Sequence, residues 1–294
     1  MSTLFIIFSM KINSLSPQDN RYTQIITTIA VVPNKLHYIG KLPSSRTPTV
    51  AIVGTRKPTP YGKEVTMRLA GDLARRGVII LSGMALGVDG IAHRAAIESG
   101  GITIAVQANG LAKLSPSSHR QLGEDIISHG GAIISEYEPN VTPRGYMFLE
   151  RNRLVSGLAD AVLITEAAAR SGTLNTARHA LEQGREVFVV PGNITSPLSA
   201  GCNALLKQGA TPVTSAADIL EVIAPHLLTI QASLALGNSP LQTAIIQLLQ
   251  QGIRDGDELQ QMSKASAQDF MSELTMMEIE GQIRALGANQ WALR

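Results

Sequence analysis

The segment TVAIVGTRKPTPYG, residues 49–62, places two cations directly behind a short run of β-forming residues. The run is followed by Gly54, Thr55, Arg56 and Lys57, and a helical pattern begins a few residues later. Ligands of open α/β sheets bind beyond the carboxyl ends of the strands. Cations at such a position favour an anionic ligand, and the planar guanidinium group of arginine matches phosphate geometry. The segment therefore predicts a phosphate site.

Two later strand-like segments run into turns of similar chemistry. The first contains Ser82, Gly83, Gly87 and Asp89, and the second contains Glu166, Arg170, Ser171, Gly172 and Thr173. Glycine lets the backbone approach a ligand closely, and free amides at a helix N-terminus bind phosphate. Ser171 and Thr173 can cap the helix that follows. Together the three turns predict a phosphate-binding rim assembled from several strand ends.

An arginine-rich cluster completes the set of candidate residues. It consists of Arg151, Asn152 and Arg153, with Arg144 a few residues upstream. The pattern predicts a junction between a loop and a helix here, and cations at a helix start oppose the helix dipole. An anionic partner explains them better than a solvated helix start does. With the other arginines of the rim, they suggest a groove that follows a sugar–phosphate backbone.

Several of these residues also have ordinary structural interpretations. Asp89 fits a helix cap, and a single histidine such as His93 is usually a packed helix residue. Glu166, at a strand end, fits a catalytic carboxylate or a group that orients Arg170 or Arg56. The prediction of a rim rests on the combination, because three glycine-bearing turns with cations exceed what folding requires.

Familiar catalytic and cofactor-binding patterns do not occur in the sequence. The first strand is followed by neither G-x-G-x-x-G nor a P-loop, and there is no G-x-S-x-G and no histidine pair at zinc-ligand spacing. A single cysteine, Cys202, cannot form an intramolecular disulfide. These absences argue against a nicotinamide dehydrogenase and a nucleoside triphosphatase, and no cofactor or metal is expected. The net charge of +2 means that any nucleic-acid binding must rest on a local patch.

The elements that must position these residues alternate regularly along the chain. From Thr49 onward, short continuous apolar segments are each followed by a helical pattern. Continuous apolar strands are typical of a parallel sheet covered on both faces. Gly77, Gly100 and Gly184 stand where helices end in a left-handed residue. The pattern predicts a doubly wound α/β fold with a mostly parallel sheet.

We predict four parts along the chain: an N-terminal extension at 1–47, an α/β domain at 48–223, a linker at 224–239 and a small domain at 240–294. In the last part, three helical patterns precede ALGANQWAL, whose turn suits the wing of a winged helix. A plain helical tail is the alternative. The few cations of this small domain favour a protein partner or a regulatory role over duplex binding.

The apolar start MSTLFIIFSMK is too short to span a bilayer and lacks signal-peptide features. We therefore expect a cytoplasmic protein with no membrane association.

The motifs of the α/β part resemble those of the DNA-processing protein A family (DprA, also called Smf). The resemblance is carried by VAIVGTRKPTPYG, LSGMALGVDGIAHRAAIESGG, ISEYEPN, RNRLVSGLADAVLITEAAARSGTLNTARHALEQGREVFVVPG and GCNALLKQGA, in this order and spacing. It covers about Leu36 to Ile223, and the C-terminal pattern looks like the small winged-helix domain that many members carry.

The resemblance implies an extended Rossmann-like fold that binds single-stranded DNA, forms a homodimer and helps load the RecA recombinase in natural transformation. It implies no catalytic reaction. The family's basic pocket corresponds to Arg56, to the glycine loop from Gly83 to Asp89 and to the helix start from Arg170 to Thr173. Members usually carry an aromatic residue where this chain has Ser115, and a cation near Ser117 and Ser118. The difference implies weaker DNA binding here unless Lys113 or Arg120 compensates. The helical N-terminal domain of many members is largely missing.

Two alternatives use the same pocket. The fold and glycine-rich motif are also similar to the nucleotide phosphoribohydrolases called LOG proteins, but the position of their catalytic glutamate falls on Thr176, which removes the general acid–base. A sensor that binds a small nucleotide shares every predicted contact with the DNA-binding protein.

Overall fold

The computed structural model describes residues 11–228, 239–287 and 289–293, and within these ranges every side chain except that of Gln250. The chain divides into two compact units, 1–224 and 225–294. The apolar run of the predicted extension, residues 1–10, and residues 229–238 of the predicted linker lie outside the described residues. Among the helices of the described ranges, none combines the length and apolar character that crossing a bilayer requires.

The first unit is built on a twisted sheet whose central strands are parallel. The strands are β1 (Asn13–Leu15), β2 (Leu36–Gly40), β3 (Thr49–Val53), β4 (Ile79–Ser82), β5 (Thr103–Val106), β6 (Ala132–Ser135), β7 (Ala161–Ile164), β8 (Glu186–Val189) and β9 (Thr211–Pro212). Their order is β1-β2-β6-β5-β4-β3-β7-β8-β9, parallel from β6 to β9. Strand β2 runs antiparallel to both of its neighbours. The predicted doubly wound, mostly parallel α/β fold is confirmed.

Helices cover both faces of the sheet, which is why its inner strands are apolar throughout. All five residues of β3 are buried, as a strand covered on both faces requires. The helices are α1 (Pro60–Arg75), α2 (Val88–Glu98), α3 (Arg120–Ser128), α4 (Gly145–Leu158), α5 (Gly172–Glu182), α6 (Ala200–Lys207) and α7 (Ala216–Ile223). The glycines predicted at left-handed helix ends, Gly77, Gly100 and Gly184, have φ values of +81°, +73° and +67°.

Residues 13–40, which the sequence analysis assigned to an extension, belong to the sheet and core of the first unit. Strand β2 pairs with β6 along most of its length, and the side chains of Tyr22 and Ile26 are fully buried in the core. Arg46 fixes the following segment, since its Nη2 donates to Asp160 Oδ1 at 2.6 Å. Short strands separated by 3₁₀ turns have neither a helical nor a long alternating period, so no periodic signal marks them.

Between residues 239 and 293, the described part of the second unit contains three helices and a β-hairpin, as predicted for a winged helix. They are α8 (Pro240–Gln250), α9 (Gly256–Ser263), α10 (Ala267–Ile279), β10 (Ile283–Gly287) and β11 (Gln290–Leu293). Phe270, Leu274 and Met277 of α10 pack against apolar residues of the other elements. Between residues 239 and 293 the chain carries seven carboxylates and three cations. This unit is therefore acidic.

His93 is a packed helix residue, in agreement with the structural interpretation of the sequence. It is fully buried in α2, and its Nδ1 lies 2.6 Å from Thr103 Oγ1. That hydroxyl already donates to Ile80 O at 2.6 Å, so Nδ1–H of His93 must be the donor. Nε2 has no partner among the described residues. Burial, together with the nearby side chains of His119, Arg94 and Arg151, lowers the pKa of His93 to about 3.

This buried neutral imidazole predicts a loss of stability in mild acid. The unfolded chain takes up a proton near pH 6.5 while the folded chain does so only near pH 3, so stability is fully present above pH 6.5 and decreases as the pH falls below it. From pH 7 to pH 5 we expect His93 to account for about 2 kcal/mol of lost unfolding free energy. Urea unfolding of the wild type and of His93→Gln at both pH values measures it. The variant should lose less than the wild type, whereas His129→Gln, which changes an exposed histidine, should match the wild type; equal losses in all three chains would contradict the assignment.

Candidate functional site

A cavity of about 320 Å³ lies at the carboxyl edge of the sheet in the first unit. We call it the strand-end cleft. The turns after β3 and β7 form two of its walls, the start of α2 a third, and α4 closes it from the side. Strand β3 pairs with β4 on one side and with β7 on the other, so the chain reverses its direction of winding at this point. The cleft therefore occupies the topological switch point where ligands of open α/β sheets bind.

The turn after β3 is held at both ends by one residue, Glu166. Its backbone carbonyl accepts a hydrogen bond from Thr55 N–H at 2.8 Å. Its carboxylate accepts from Thr59 N–H at 2.8 Å and from Thr59 Oγ1 at 2.6 Å. Thr59 is the N-cap of α1, so the buried carboxylate also faces the positive end of that helix. The sequence analysis proposed catalysis or orientation of an arginine for Glu166; its side-chain partner is Thr59.

The other side of the same turn rests on the loop after β4. Val88 N–H donates to Thr55 O at 3.1 Å, and Gly87 has a φ of +80°. A Cβ atom at Gly87 would lie 2.6 Å from the carbonyl carbon of Arg56. Glycine is therefore required here both for the backbone conformation and for the close approach of the two loops. This packing fixes the backbone from which Arg56 projects.

The wall formed by α4 carries a buried cation, Arg151, which is 4% exposed. Its Nη1 donates to Gly83 O at 2.7 Å and to Val106 O. Nε and Nη2 donate to no described residue. Burial lowers the pKa of Arg151 to about 10, while Asp89 opposes the shift, so the guanidinium stays charged at neutral pH.

Asp89 is the only carboxylate among the described residues that line the cleft. Its Oδ2 accepts from Gly83 N–H at 3.1 Å and from Ala85 N–H at 3.2 Å. Burial raises the pKa of this carboxyl, and Arg151 and the two amides oppose that shift. Asp89 thus shapes the loop after β4 from the first turn of α2, and its acceptor oxygen is directed at the protein backbone.

The wall formed by the turn after β7 ends in the start of α5. Ser171 is the N-cap and accepts from Thr173 N–H at 3.2 Å, which confirms the predicted cap. The amides of Ser171 and Gly172 donate to no described residue. Arg170 and Arg56 are exposed and form no ion pair within the described part of the chain. The guanidinium carbon of Arg56 lies 5.8 Å from the ring centre of Phe148, which holds this arginine over the cleft.

Most of the predicted site residues meet at this cleft. Ten of the sixteen line it: Gly54, Thr55, Arg56, Asp89, Arg151, Asn152, Arg170, Ser171, Gly172 and Thr173. The other six, Lys57, Ser82, Gly83, Gly87, Arg153 and Glu166, do not line it. Lys57 is exposed on the turn after β3, and Ser82 Oγ donates to Ile52 O at 2.6 Å, between adjacent strands. The buried members of the second group hold the walls together.

The predicted loop-to-helix junction at the arginine cluster is wrong. Helix α4 begins at Gly145, so Arg151 and Arg153 lie in its interior and only Arg144 stands at its start. Arg153 Nη2 pairs with Glu136 Oε2 at 2.5 Å, with both side chains mostly buried. Arg153 does not stand at the positive end of the helix dipole, so the dipole gives no reason to expect an anionic ligand there. The carboxylate of Glu136 already pairs with this arginine.

Sequence reasoning missed the lining residues that α4 contributes ahead of the cluster. Phe148 and Leu149 line the cleft together with Arg151 and Asn152. The spacing from 148 to 151 and 152 is that of one helix face. A helical pattern that begins at Gly145 places Phe148 on the same face as Arg151 and Asn152, and this periodicity is the sequence signal for Phe148.

Family models match both units of the chain. The model described as DNA recombination-mediator protein A matches residues 13–224. The model described as DprA winged helix domain matches residues 231–289.

Several known proteins are similar to this chain in sequence and in structure. Protein Smf of Escherichia coli is 44% identical over 209 residues, 70% of this chain and 56% of that protein. The structure of DNA processing protein A from Streptococcus pneumoniae superposes with a TM-score of 0.68 at 38% identity, covering 72% of this chain and 75% of that one. A Helicobacter pylori DNA processing protein A structure, determined for its single-stranded DNA binding mode, gives 0.62 at 32% identity and covers 76% and 98% of the two chains. This chain matches about half the length of the first curated relatives. The matched regions cover 56% and 44% of those two proteins.

The contact between the two loops predicts that Gly87 is needed for stability. Gly87→Ala combines an unfavourable φ with a clash against the turn after β3, and we expect it to lower the unfolding free energy by about 2–5 kcal/mol. Gly100→Ala is the matched control, because Gly100 also has a positive φ but its Cβ would meet no atom within 4 Å; the control should cost about 1–2 kcal/mol. Chemical denaturation of the two variants measures the difference. Equal costs would show that the loops do not press on each other at Gly87.

Proposed function

This chain belongs to the DNA recombination-mediator protein A family, and on that basis we propose that it is a DNA-processing protein that binds single-stranded DNA in the strand-end cleft. The Helicobacter pylori relative is a protein with a described mode of binding single-stranded DNA. The cleft of this chain offers chemistry suited to such a ligand, since it is lined by backbone amides, hydroxyls and arginines. The similarity to that relative suggests the ligand, and the residues that line this cleft support it.

The single observation that carries the proposal is the charge of the cleft. Three guanidinium groups line it against one carboxylate, although the whole chain has a net charge of only +2. A concentrated cationic site on a nearly neutral protein supports an anionic ligand that is bound locally. Phe148 beside Arg56 adds an aromatic surface next to the cations, which suits a nucleotide strand. The described residues 239–293 of the second unit carry more carboxylates than cations.

We infer a binding role and no catalytic one. Thr176 lines the cleft at the position where LOG-type hydrolases have their glutamate. Asp89 and Glu166, the nearest carboxylates that sequence reasoning considered, accept hydrogen bonds from the protein. Hydrogen bonds to the ionised form of a carboxylate weaken it as a base. These contacts support the DNA-binding role over the hydrolase alternative.

The partners that the family implies are part of this proposal. We infer a cytoplasmic homodimer that binds incoming single-stranded DNA during natural transformation and helps load the RecA recombinase. These inferences rest on the family resemblance. The loop with Ser115, Ser117 and Ser118 in place of an aromatic and a basic residue supports a weaker affinity for DNA than members with those residues have.

The direct test is a fluorescence-anisotropy titration of labelled oligo-dT, with a duplex of equal length beside it, at two salt concentrations. We expect tighter binding of the single strand than of the duplex. The affinity should fall as the salt concentration rises, because cationic side chains of the protein release counterions from the phosphates when they bind. No binding at low salt would overturn the DNA-binding role. In that case nucleoside monophosphates become the first ligands to screen, for binding and for hydrolysis.

Within this titration, Arg56 supplies the sharpest variant. Arg56→Ala removes an exposed guanidinium that has no ion-pair partner among the described residues, so the fold should be unaffected. We expect about 1–3 kcal/mol of lost binding free energy, for a charge-assisted contact, across all DNA sequences. The salt slope should become shallower by about 0.7 for one lost contact to a single strand.

The matched control for this variant is Lys207→Ala. Lys207 is an exposed cation at the C-terminal end of α6, and it does not line the cleft. Lys207→Ala removes one positive charge, as Arg56→Ala does. The affinity and the salt slope of this variant should match those of the wild type. Equal losses in the two variants would mean that bulk charge, and not the cleft, binds the strand.

A further inference from the structure

The net positive charge of the side chains that line the strand-end cleft is larger than the negative charge of one internal phosphate of a DNA strand. Arg56, Arg151 and Arg170 contribute three positive charges and Asp89 one negative charge. An internal phosphodiester carries a single negative charge, whereas a terminal phosphate monoester carries between one and a half and two at neutral pH, roughly, because its second pKa is about 6. The net charge of the cleft matches the monoester.

The donors that remain free in the cleft are also more numerous than a diester needs. The Ser171 and Gly172 amides at the start of α5 donate to no described residue. Arg151 is 4% exposed, and its Nη2 likewise has no acceptor among the described residues. A buried guanidinium with unmet donors is costly unless an acceptor reaches it. A phosphate monoester has three equivalent acceptor oxygens, while a diester has two.

The size of the cavity limits how much of a strand it can hold. Its volume of about 320 Å³ lies at the small end of the range of ligand sites. Helix α4 and the start of α5 form adjacent walls, since Asn152 Nδ2 lies 3.4 Å from Gly172 O. The cleft therefore suits a single phosphate group with its immediate surroundings.

We infer that the strand-end cleft is selective for a terminal phosphate monoester of a single strand. The inference rests on the proposed DNA-binding function and adds to it the part of the strand that occupies the site. In this arrangement Arg151 and the α5 amides contact the inner oxygens of the phosphate. Arg56 and Arg170, which are exposed at the rim, contact its outer oxygens. The same phosphate chemistry is present at a phosphorylated 5′ end and at a phosphorylated 3′ end.

The test compares oligo-dT of one length in four forms: 5′-phosphorylated, 3′-phosphorylated, phosphorylated at neither end, and circular. Labels are placed on an internal base, and the full-length chain is titrated at pH 7.5 and pH 5.5. We expect at least one phosphorylated end to bind about tenfold more tightly than the unphosphorylated strand, since charge-assisted bonds to a second charge are added. Which end gives the gain identifies the strand polarity. The gain should shrink at pH 5.5, where the monoester takes up a proton.

The outcomes separate this inference from the function on which it rests. Equal affinity for all four forms would overturn the terminal-phosphate selectivity and leave single-strand binding intact. Failure of every form to bind would overturn the DNA-binding function itself. A gain for phosphorylated ends that persists unchanged in Arg170→Gln would also contradict the inference, because the phosphate would then be bound elsewhere.

Two further measurements locate the effect. Arg170→Gln should lower the ratio of affinities for phosphorylated and unphosphorylated strands, and Lys207→Gln should leave that ratio unchanged. Inorganic phosphate should compete with the phosphorylated strand more effectively than with the circular strand. Competition that is equal for both strands would point to general ionic screening and against a terminal-phosphate site.

Discussion

The functional geometry of the first unit depends on how the turn after β3 is held. Glu166 binds that turn twice, through its backbone carbonyl at Thr55 and through its carboxylate at Thr59. The loop after β4 presses on it from the other side at Gly87. Because a buried carboxylate gains most when all its acceptors are used, Glu166 and the α1 N-terminus stabilise each other. The exposed Arg56 side chain is thus carried on a well-held backbone, so that binding an anion orders the side chain without also having to order the turn.

The sheet explains why residues from distant parts of the sequence share one cleft. Parallel strands bring all their carboxyl ends to one edge, and the reversal of winding at β3 leaves a gap there that the loops cannot fill. Side chains that follow β3, β4 and β7 therefore meet without being close in sequence. The α4 helix completes the enclosure, because Arg151 reaches across to carbonyl groups behind β4 and β5. The carboxyl edge of the sheet holds the cationic cleft, while the acidic second unit has a surface of opposite character.

Sequence reasoning found the strands and the glycine-bearing turns because each has a local signature. Continuous apolar runs such as that of β3 mark strands buried on both faces, and Gly77 or Gly100 mark helix ends. It failed where the signal is not local. Helix α4 begins at Gly145 without a capping side-chain oxygen on Arg144, so its start has no sequence mark and Phe148 was missed. The roles of Glu166 and Arg151 depend on partners more than forty residues away, which no spacing rule contains. Residues 13–40 enter the sheet through tertiary pairing with β6, and their own pattern is too short to predict it.

Arg151 has a consequence for how the protein responds to its ligand. Two of its nitrogen atoms have no acceptor in the described chain, so the folded state contains a desolvated cation that is only partly compensated. An anion that reaches those atoms removes a cost of folding as well as forming a complex, and by mass action it stabilises the folded form. Occupancy of the cleft and resistance to unfolding are therefore thermodynamically linked. An anion bound at Arg151 would thus act as a structural element of the unit that holds it.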